Sequence, residues 1–266
     1  MNTVSFPQID YLARIGLDEL PDDIHERLFA LHTRQLYKLP FENLDIHLSR
    51  EIKTDPLSLF NKLIYQVRGG YCFELNELLA LALESFGFIV QRHIARVLYN
   101  NPWGASGPRT HQILFVTIDG QRWLTDVGFG GPGLRKPIPL IVDQIFEQFG
   151  DCFRFQQDGV NTVLQKESHG QWLDLYTFAD ETTLPVDFIM ANHFTSTWPD
   201  SPFRKRRWLA LAQSWGRITL INFNLTIYRD GNIENIILPP GEDYIQALQQ
   251  YFGIRLDAQY SDFMSL

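Results

Sequence analysis

The spacing of apolar residues changes near residue 88, and this change limits the folds that the chain can adopt. Before it, residues 1 to about 90 show mostly helical patterns, with apolar residues repeating at intervals of three and four. After it, from Phe88 to Asp187, apolar and polar residues alternate in short runs separated by turn signals, as in strands with one buried face. The pattern predicts an α+β protein that contains an antiparallel barrel or a curled sheet.

A lone cysteine stands where one of the predicted helices begins. Gly69 and Gly70 predict a tight turn, the apolar helical pattern starts at Leu75, and Gly87 ends it where a C-terminal cap belongs. Cys72 therefore lies near a helix N-terminus, where free N–H groups and the helix dipole favour an anion. We expect a lowered thiol pKa and a candidate nucleophile; the alternative is a small buried apolar residue.

A predicted hairpin supplies partners for this cysteine. Asp119-Gly120 separates two strand-like runs, which is the signal of a two-residue turn. A tight turn places Ile113 opposite Asp126, and His111 points to the same face as Ile113. Asp126 then becomes the diagonal neighbour of His111, with about 7–8 Å between the Cα atoms. The sequence predicts a His111–Asp126 pair, which a register slip of one residue would separate.

A thiol, an imidazole and a carboxylate are the parts of an activated nucleophile. At this point the chain resembles the arylamine N-acetyltransferase family in three blocks: Arg68-Gly69-Gly70-Tyr71-Cys72-Phe73-Glu74-Leu75-Asn76, Thr110-His111 before a strand, and Asp126-Val127-Gly128-Phe129-Gly130. The blocks occur in the family's order and at similar spacing. The resemblance implies that Cys72 accepts the acyl group, that His111 is its base and that Asp126 orients the imidazole.

The resemblance also implies an architecture of three parts. An N-terminal helical bundle, residues 1–88, would contain Cys72, and a central antiparallel β-barrel, residues 89–203, would contain His111 and Asp126. Residues 204–266 would form a C-terminal α/β lid. The catalytic core of such a protein is similar to that of cysteine proteases and transglutaminases.

The same resemblance implies ligand contacts for the residues Thr110, Phe129, Gly130 and Gly131. Phe129 would line the pocket for the acyl group and the amine, and the neighbouring backbone would help to hold coenzyme A. The glycine-rich run at 128–133 has neither the strand-to-helix context nor the Lys-Ser/Thr ending of a P-loop, and it does not match a dinucleotide fingerprint.

Several charged residues and histidines outside the three blocks also have predicted roles. The Pro40-Phe41-Glu42-Asn43 block also resembles the family, which implies an ion pair between Glu42 and Arg68 beside the cysteine turn; the alternative is two solvated charges. The basic run at 204–207 is expected to be a solvated face, with contact to coenzyme A phosphates as its alternative. The other histidines are expected to be structural or solvated, with His193 in a polar loop.

Composition and charge exclude several classes of protein. A net charge of −8 argues against nucleic acid as the main partner, and no apolar run approaches the ~18 residues of a membrane-spanning helix. The N-terminal residues show no signal-peptide pattern, so a cytoplasmic location is expected. Two cysteines form neither a disulfide framework nor a metal-ligand cluster, so no metal is expected, and Cys152 is expected to be a buried strand residue.

The resemblance implies a ping-pong acyl transfer. Acetyl-CoA would be the co-substrate, Cys72 would become S-acetylated, and an arylamine or arylhydrazine would take the acetyl group. O-acetylation of N-hydroxyarylamines would follow the same route. The alternatives are an amide synthase of the same family with a biosynthetic acyl donor, a transglutaminase-like cysteine hydrolase, and a binding module with an inert cysteine. Oligomeric state, acyl preference and the natural acceptor stay open.

Overall fold

The computed structural model describes residues 4–266. The prediction about a signal-peptide pattern falls in part on residues 1–3, which lie outside the described residues. The helices are α1 (Gln8–Ile15), α2 (Ile24–Lys38), α3 (Leu44–His47), α4 (Pro56–Leu59), α5 (Cys72–Ser85), α6 (Pro185–Thr197), α7 (Pro202–Lys205) and α8 (Glu242–Phe252), with a π-helix at Phe60–Tyr65 and 3₁₀ turns at Gly104–Ser106 and Tyr260–Asp262. No helix within 4–266 is long and apolar enough to cross a membrane.

Helix α5 is the centre of the N-terminal part. It begins at Cys72, and its last turn closes on Gly87, which has a left-handed φ of 88°, as the sequence predicts. Nearly all of its faces are buried, and its leucines pack with α1, α2 and the inner side of the strand that contains Leu114 and Val116. Burial of each leucine stabilises the fold by roughly 1.5–3 kcal/mol, so the helix is firmly fixed against the neighbouring strand.

Two antiparallel sheets follow from the alternating segments. The strands are β1 (Phe41–Glu42), β2 (Ile89–Val97), β3 (His111–Ile118), β4 (Gln121–Thr125), β5 (Ile138–Pro139), β6 (Ile145–Gln148), β7 (Asp151–Asp158), β8 (Asn161–Ser168), β9 (Gln171–Ala179), β10 (Trp208–Gln213), β11 (Gly216–Ile221), β12 (Asn224–Arg229) and β13 (Asn232–Ile237). The larger sheet has the order β5-β4-β3-β2-β9-β8-β7-β6, and the smaller has β1-β10-β11-β12-β13.

The larger sheet curls into a nearly closed barrel. At its two edges the Gln148 side chain accepts hydrogen bonds from the backbone N–H groups of Arg135 and Lys136, at 2.9 and 3.0 Å. Its interior is filled by aromatic and aliphatic side chains, among them Phe115 and Phe155. The predicted α+β fold with helices, an antiparallel barrel and a C-terminal α/β part is therefore confirmed.

The hairpin between β3 and β4 has the predicted turn. Asp119 and Gly120 both have positive φ, 50° and 78°, which is the conformation of the two-residue turns that match strand twist. The register is the one that such a turn requires, with Ile118 opposite Gln121 and Leu114 opposite Thr125. His111 at the start of β3 and Asp126 just after β4 consequently lie at the same end of the hairpin.

The smaller sheet connects the two ends of the chain. Strand β1 of the N-terminal part pairs with β10, with Phe41 opposite Ala210, and α8 covers the other strands through Tyr244 and Leu248. The segment that precedes the cysteine turn thus belongs to the C-terminal sheet. The division of the chain at residues 88 and 203 stays a prediction.

Three expectations for single residues were wrong. His193 lies in α6 and not in a polar loop, because Leu184 and Asp187 start a helix there through an N–H to carboxylate bond of 2.8 Å. Arg207 is buried, since its guanidinium lies 4.4 Å from the ring of Phe263. The predicted solvated basic face therefore does not include Arg207. Cys152 is in a strand, as predicted, but only half-buried.

Candidate active site

The turn before α5 brings Cys72 to the helix N-terminus. Gly69 and Gly70 have no room for a side chain, because added Cβ atoms would lie 2.0 Å from the Pro40 carbonyl oxygen and 2.8 Å from the Glu74 carboxylate. The backbone N–H of Tyr71 donates to Glu74 Oε2 at 3.1 Å and caps the helix start. Cys72 is the first helical residue, as the sequence predicts, and its side chain faces inward.

His111 and Asp126 form the predicted pair. The Nε2 atom of His111 lies 2.7 Å from Oδ2 of Asp126, and both side chains are buried. Cys72 lies close enough to the same imidazole to contribute to its raised pKa, and its Sγ lies 3.5 Å from the carbonyl oxygen of Thr110. The thiol, the imidazole and the carboxylate are therefore in one connected chain of contacts.

Burial and neighbouring groups set the charges of His111 and Asp126. Burial alone would lower the pKa of His111, but the charge and hydrogen bond of Asp126, with a smaller effect of Cys72, raise it to about 10. Burial would raise the pKa of Asp126, yet His111, Asn76 and the Gly128 N–H hold it below its usual value. At neutral pH the pair is therefore an imidazolium and a carboxylate.

Asn76 is a site residue to which sequence reasoning gave no role. Its Nδ2 atom donates to Oδ1 of Asp126 at 2.9 Å and to the carbonyl of Gln112 at 2.6 Å, and its Oδ1 accepts the N–H of Val127 at 2.9 Å. It lies one turn after Cys72 on the same helix face. Helix α5 thereby fixes Cys72 and the Asp126 carboxylate at the same time.

His32 is a second residue near the site for which a structural role was expected. Its Nε2 atom lies 3.2 Å from the carbonyl oxygen of Asp126 and 3.3 Å from its backbone nitrogen. Burial lowers the pKa of His32 to about 4, more than Asp126 and the neighbouring backbone raise it. His32 is therefore neutral and holds the backbone, and it does not exchange protons with the pair.

A buried ionic cluster lies behind the cysteine turn. It contains the predicted pair of Arg68 and Glu42, whose Nη2 and Oε1 atoms are 2.7 Å apart, and adds Asp45, Glu74 and Lys62. Lys62, in the π-helix, lies 2.6 Å from Glu74 and 2.7 Å from Asp45. The three carboxylates and two cations join α3, the π-helix, the turn and α5. The cluster fixes the turn that presents Cys72.

The four predicted ligand residues lie beside His111 and along two openings of the surface. The Phe129 ring centre lies 5.5 Å from that of His111, and Thr110 lines a groove of about 480 Å³ that runs along α6. Gly130 needs its left-handed φ of 69°, and a Cβ there would lie 2.7 Å from the Phe41 ring. Gly130 and Gly131 line a smaller cleft that also borders Asp126 and Phe129. Within residues 4–266 no group of histidine, cysteine and acidic side chains could hold a metal ion.

Comparison with known proteins agrees with this geometry. A family model described as N-acetyltransferase matches residues 25–261. The chain is 36% identical over 246 residues to an arylamine N-acetyltransferase / N-hydroxyarylamine O-acetyltransferase of Salmonella typhimurium, covering 92% of this chain and 87% of the relative. It is also 36% identical over 249 residues to an arylamine N-acetyltransferase of Escherichia coli, covering 93% and 88%.

Solved structures give the same answer for the fold. The arylamine N-acetyltransferase of Salmonella typhimurium superposes with a TM-score of 0.90 at 36% identity, over 97% of this chain and 94% of that chain. The Mycobacterium marinum arylamine N-acetyltransferase in complex with CoA superposes with a TM-score of 0.90 at 30% identity, over 96% of both chains. From its residues, its fold and these relatives, the chain belongs to the arylamine N-acetyltransferase family.

Proposed function

We propose that this protein transfers an acetyl group from acetyl-CoA to arylamines and arylhydrazines through an S-acetyl intermediate on Cys72. The observation that supports it best is the buried chain of contacts from Cys72 through His111 to Asp126. Such a chain makes a thiol nucleophilic and supplies a proton carrier beside it. Relatives of the same family are named arylamine N-acetyltransferases, and one was solved with CoA.

In the first half-reaction the Cys72 thiolate attacks the thioester carbonyl carbon of acetyl-CoA. The His111 imidazolium gives its proton to the departing coenzyme A sulfur, and Asp126 stabilises the imidazolium until that step. The first-turn N–H groups of Cys72 and Phe73 have no protein acceptor in the described part of the chain. These two groups are proposed to donate to the oxyanion that forms on the carbonyl oxygen.

In the second half-reaction an aromatic amine attacks the acetyl carbon on Cys72. An arylamine is weakly basic, so it is unprotonated and nucleophilic at neutral pH. The now neutral His111 takes the proton that the nitrogen loses, and the Cys72 thiolate leaves as the amide forms. An N-hydroxyarylamine would present its oxygen in the same position, the activity for which the Salmonella typhimurium relative is also named.

The proposed ligand residues follow from their positions. Thr110 would border the groove along α6, where the amine would bind. Phe129 would cover the reacting atoms, and Gly130 and Gly131 would contact coenzyme A. The Tyr176 ring centre lies 5.0 Å from that of His111, so two aromatic rings flank the imidazole. Exclusion of water by these rings would protect the acetyl-cysteine from hydrolysis.

Intact-protein mass spectrometry with acetyl-CoA and no amine tests the proposal. One acetyl adduct is expected, mapping to Cys72, absent in Cys72→Ala and removed when an arylamine is added. The matched control is Cys152→Ala, which removes the half-buried strand cysteine and should still form the adduct. A folded protein that forms no adduct would contradict the acetyl-CoA assignment, and an adduct released as fast without amine as with it would support a hydrolase.

A further inference from the structure

A buried hydrogen bond connects the cysteine turn to helix α6. Tyr71, the residue before Cys72, is fully buried. Its hydroxyl donates to Oδ1 of Asn192 in α6, and it lies 3.4 Å from the carbonyl oxygen of the same residue. The two residues are 121 positions apart in the chain. The bond therefore joins the turn that presents the nucleophile to a helix that follows the barrel.

The side-chain amide of Asn192 has a fixed orientation. Its Nδ2 atom donates to the carbonyl oxygen of Ile52 at 3.0 Å. Because the amide has one donor nitrogen and one acceptor oxygen, this bond leaves Oδ1 as the acceptor for the Tyr71 hydroxyl. Asn192 thus joins three segments: helix α6, the stretch at residue 52 and the cysteine turn.

Helix α6 also forms one wall of the groove of about 480 Å³. Met190, Ala191 and Phe194 line this groove from α6. Thr110 lines the groove as well, and its carbonyl oxygen lies 3.5 Å from Sγ of Cys72. An aromatic amine that packs on this wall would meet an acetylated Cys72 beside Thr110. The alignment of the two reactants then depends on where α6 lies relative to Cys72.

Apolar packing alone does not define that position. Ala191 belongs to the same apolar core as Cys72, and Phe188 packs against this core. Such contacts are non-directional, whereas a hydrogen bond requires a defined distance and angle between donor and acceptor. The bond between Tyr71 and Asn192 therefore adds a directional contact that sets α6 against the cysteine turn.

We infer, on the basis of the acyl-transfer function proposed above, that Tyr71 is a positioning residue for the second half-reaction. Through Asn192 its hydroxyl holds the α6 wall of the groove where a seated arylamine meets the acetyl carbon on Cys72. Acetyl-CoA has its proposed contacts at Gly130 and Gly131, which line the other cleft. The first half-reaction therefore depends less on this bond than the second.

Tyr71→Phe tests the inference, because it removes the hydroxyl and keeps the ring. The ring centre lies 5.5 Å from that of Phe73 and 5.8 Å from that of Phe203, and this packing should maintain the fold. Cys72 is first acetylated with acetyl-CoA, and transfer from the isolated acetyl-enzyme to saturating aniline is then timed in a single turnover. Since a shift of about 1 Å can cost about 100-fold in rate, transfer should slow about tenfold and acetylation less than about threefold.

Hydrazine separates the α6 wall from the chemistry of Cys72. It is a nucleophile without an aromatic ring, so it attacks the acetyl-enzyme without packing on α6. Its rate should be the same in Tyr71→Phe and in the unmodified protein. A merely structural role of the hydroxyl would slow aniline and hydrazine by the same factor. That result, or an unchanged aniline rate, would overturn the inference.

Tyr11→Phe is the matched control. Tyr11 is also fully buried, and its hydroxyl donates to Oε1 of Gln35 at 2.7 Å. Gln35 in turn donates to the carbonyl oxygen of Leu75 at 2.8 Å, as Asn192 does to that of Ile52. The variant loses the same kind of bond between α1 and α2, so acetylation and both transfer rates should be unchanged. A selective loss of aniline transfer in this variant would also overturn the inference.

Asn192→Ala completes a double-mutant cycle. If Tyr71 acts through Asn192, the double variant should transfer to aniline no more slowly than the slower single variant. Losses that multiply would mean that the two side chains act independently, and they would overturn the assignment. If the unmodified protein forms no acetyl adduct on Cys72, the proposed function fails. If it does and Tyr71→Phe does not discriminate between the two half-reactions, only this inference fails.

Discussion

The imidazole of His111 binds the Asp126 carboxylate through Nε2, at 2.7 Å, which leaves Nδ1 for the thiol of Cys72. The two residues are 15 positions apart and come together because the β3–β4 hairpin has a two-residue turn. Since the carboxylate is fixed by Asn76 and the Gly128 N–H as well, the ring has one orientation. The geometry of the nucleophile is thus set by the hairpin and by helix α5 together.

Asp126→Asn should reduce activity far more than stability. The amide keeps the shape of the carboxylate, but it neither stabilises the imidazolium nor holds the correct protonation state of His111. The corresponding change in a Ser-His-Asp triad lowers kcat by about 10⁴, and we expect a loss of 10³-fold or more in kcat/KM here. Kinetics and urea unfolding check this; a loss of activity no larger than the loss of folded protein would contradict it.

The same variant should change the pH dependence of stability. The pKa of His111 is raised from 6.5 to about 10 in the fold, so its pairing stabilises the protein fully below pH 6.5 and loses this effect as pH rises to about 10. The difference in unfolding free energy between wild type and Asp126→Asn should therefore shrink between pH 6.5 and 10. Urea titrations at several pH values test this, and a constant difference would exclude a charged His111.

The unfolding free energy should respond to pH when Asn76 is replaced by aspartate, but not when it is truncated to alanine. Asn76→Ala leaves buried polar groups without partners and is expected to cost about 3 kcal/mol of unfolding free energy, equally at pH 5 and pH 8, where Asp126 is ionised. Asn76→Asp places a second carboxyl beside Asp126, whose Oδ1 lies 2.9 Å from the present Nδ2. Repulsion between them raises the pKa of the introduced carboxyl, so this variant should lose stability as pH rises above about 4.

Urea unfolding of both Asn76 variants at pH 5 and pH 8 separates the two effects. The cost of Asn76→Asp should be larger at pH 8, and that of Asn76→Ala should be the same at both values. Equal costs for Asn76→Asp at the two pH values would mean that its carboxyl does not interact with Asp126 in the fold.

The local parts of the site could be predicted from the sequence. A helix start after two glycines and a hairpin at Asp119-Gly120 are set by short-range rules, and the side-chain alternation of strands then places His111 and Asp126 on one face. The same rules could not place Cys72 next to His111, because that contact depends on the packing of α5 against β3. The family resemblance supplied this step.

The supporting residues could not be predicted for a related reason. Asn76, His32 and Lys62 act through partners that are distant in the chain, and their local patterns are those of ordinary helical polar residues. Arg207 is the last residue of a basic run that is typical of a solvated surface, yet it is buried against Phe263 because β10 continues into the C-terminal sheet. Tertiary packing, which the sequence pattern does not record, decided each of these positions.

Lys62 should be more important for stability than a surface lysine. Its ammonium is the cation that contacts Glu74, whose pKa burial raises to about 7 although Lys62 opposes this effect. Lys62→Met leaves buried carboxylates with too few cations and is expected to cost about 3–5 kcal/mol. The control is Lys205→Met, which removes an exposed pair with Asp200 and should cost less than ~1 kcal/mol.

The effect of Lys62→Met should also depend on pH. A raised Glu74 pKa means that its contribution to stability is present below pH 4.5 and is lost as pH rises to about 7. Without Lys62 this pKa rises further, so the loss continues above pH 7 and the variant's cost should be larger at pH 8.5 than at pH 6. Glu74→Gln in the same chain should remove this pH dependence. A pH-independent cost would contradict a role for Glu74 ionisation.

Gly128→Ala should displace the nucleophile from its base. A Cβ at this position would lie 2.7 Å from the Cα of Cys72 and 2.8 Å from Nδ2 of Asn76, so the loop after Asp126 must move away from α5. A shift of about 1 Å between reacting groups can cost about 100-fold in rate, and we expect a kcat loss of that size. The control is Gly170→Ala, at a hairpin turn with a φ of 77° and nothing within 4 Å, which should lose about 1 kcal/mol of stability and no activity. If Gly128→Ala kept wild-type kcat, the close packing of this loop on Cys72 would not be needed for catalysis.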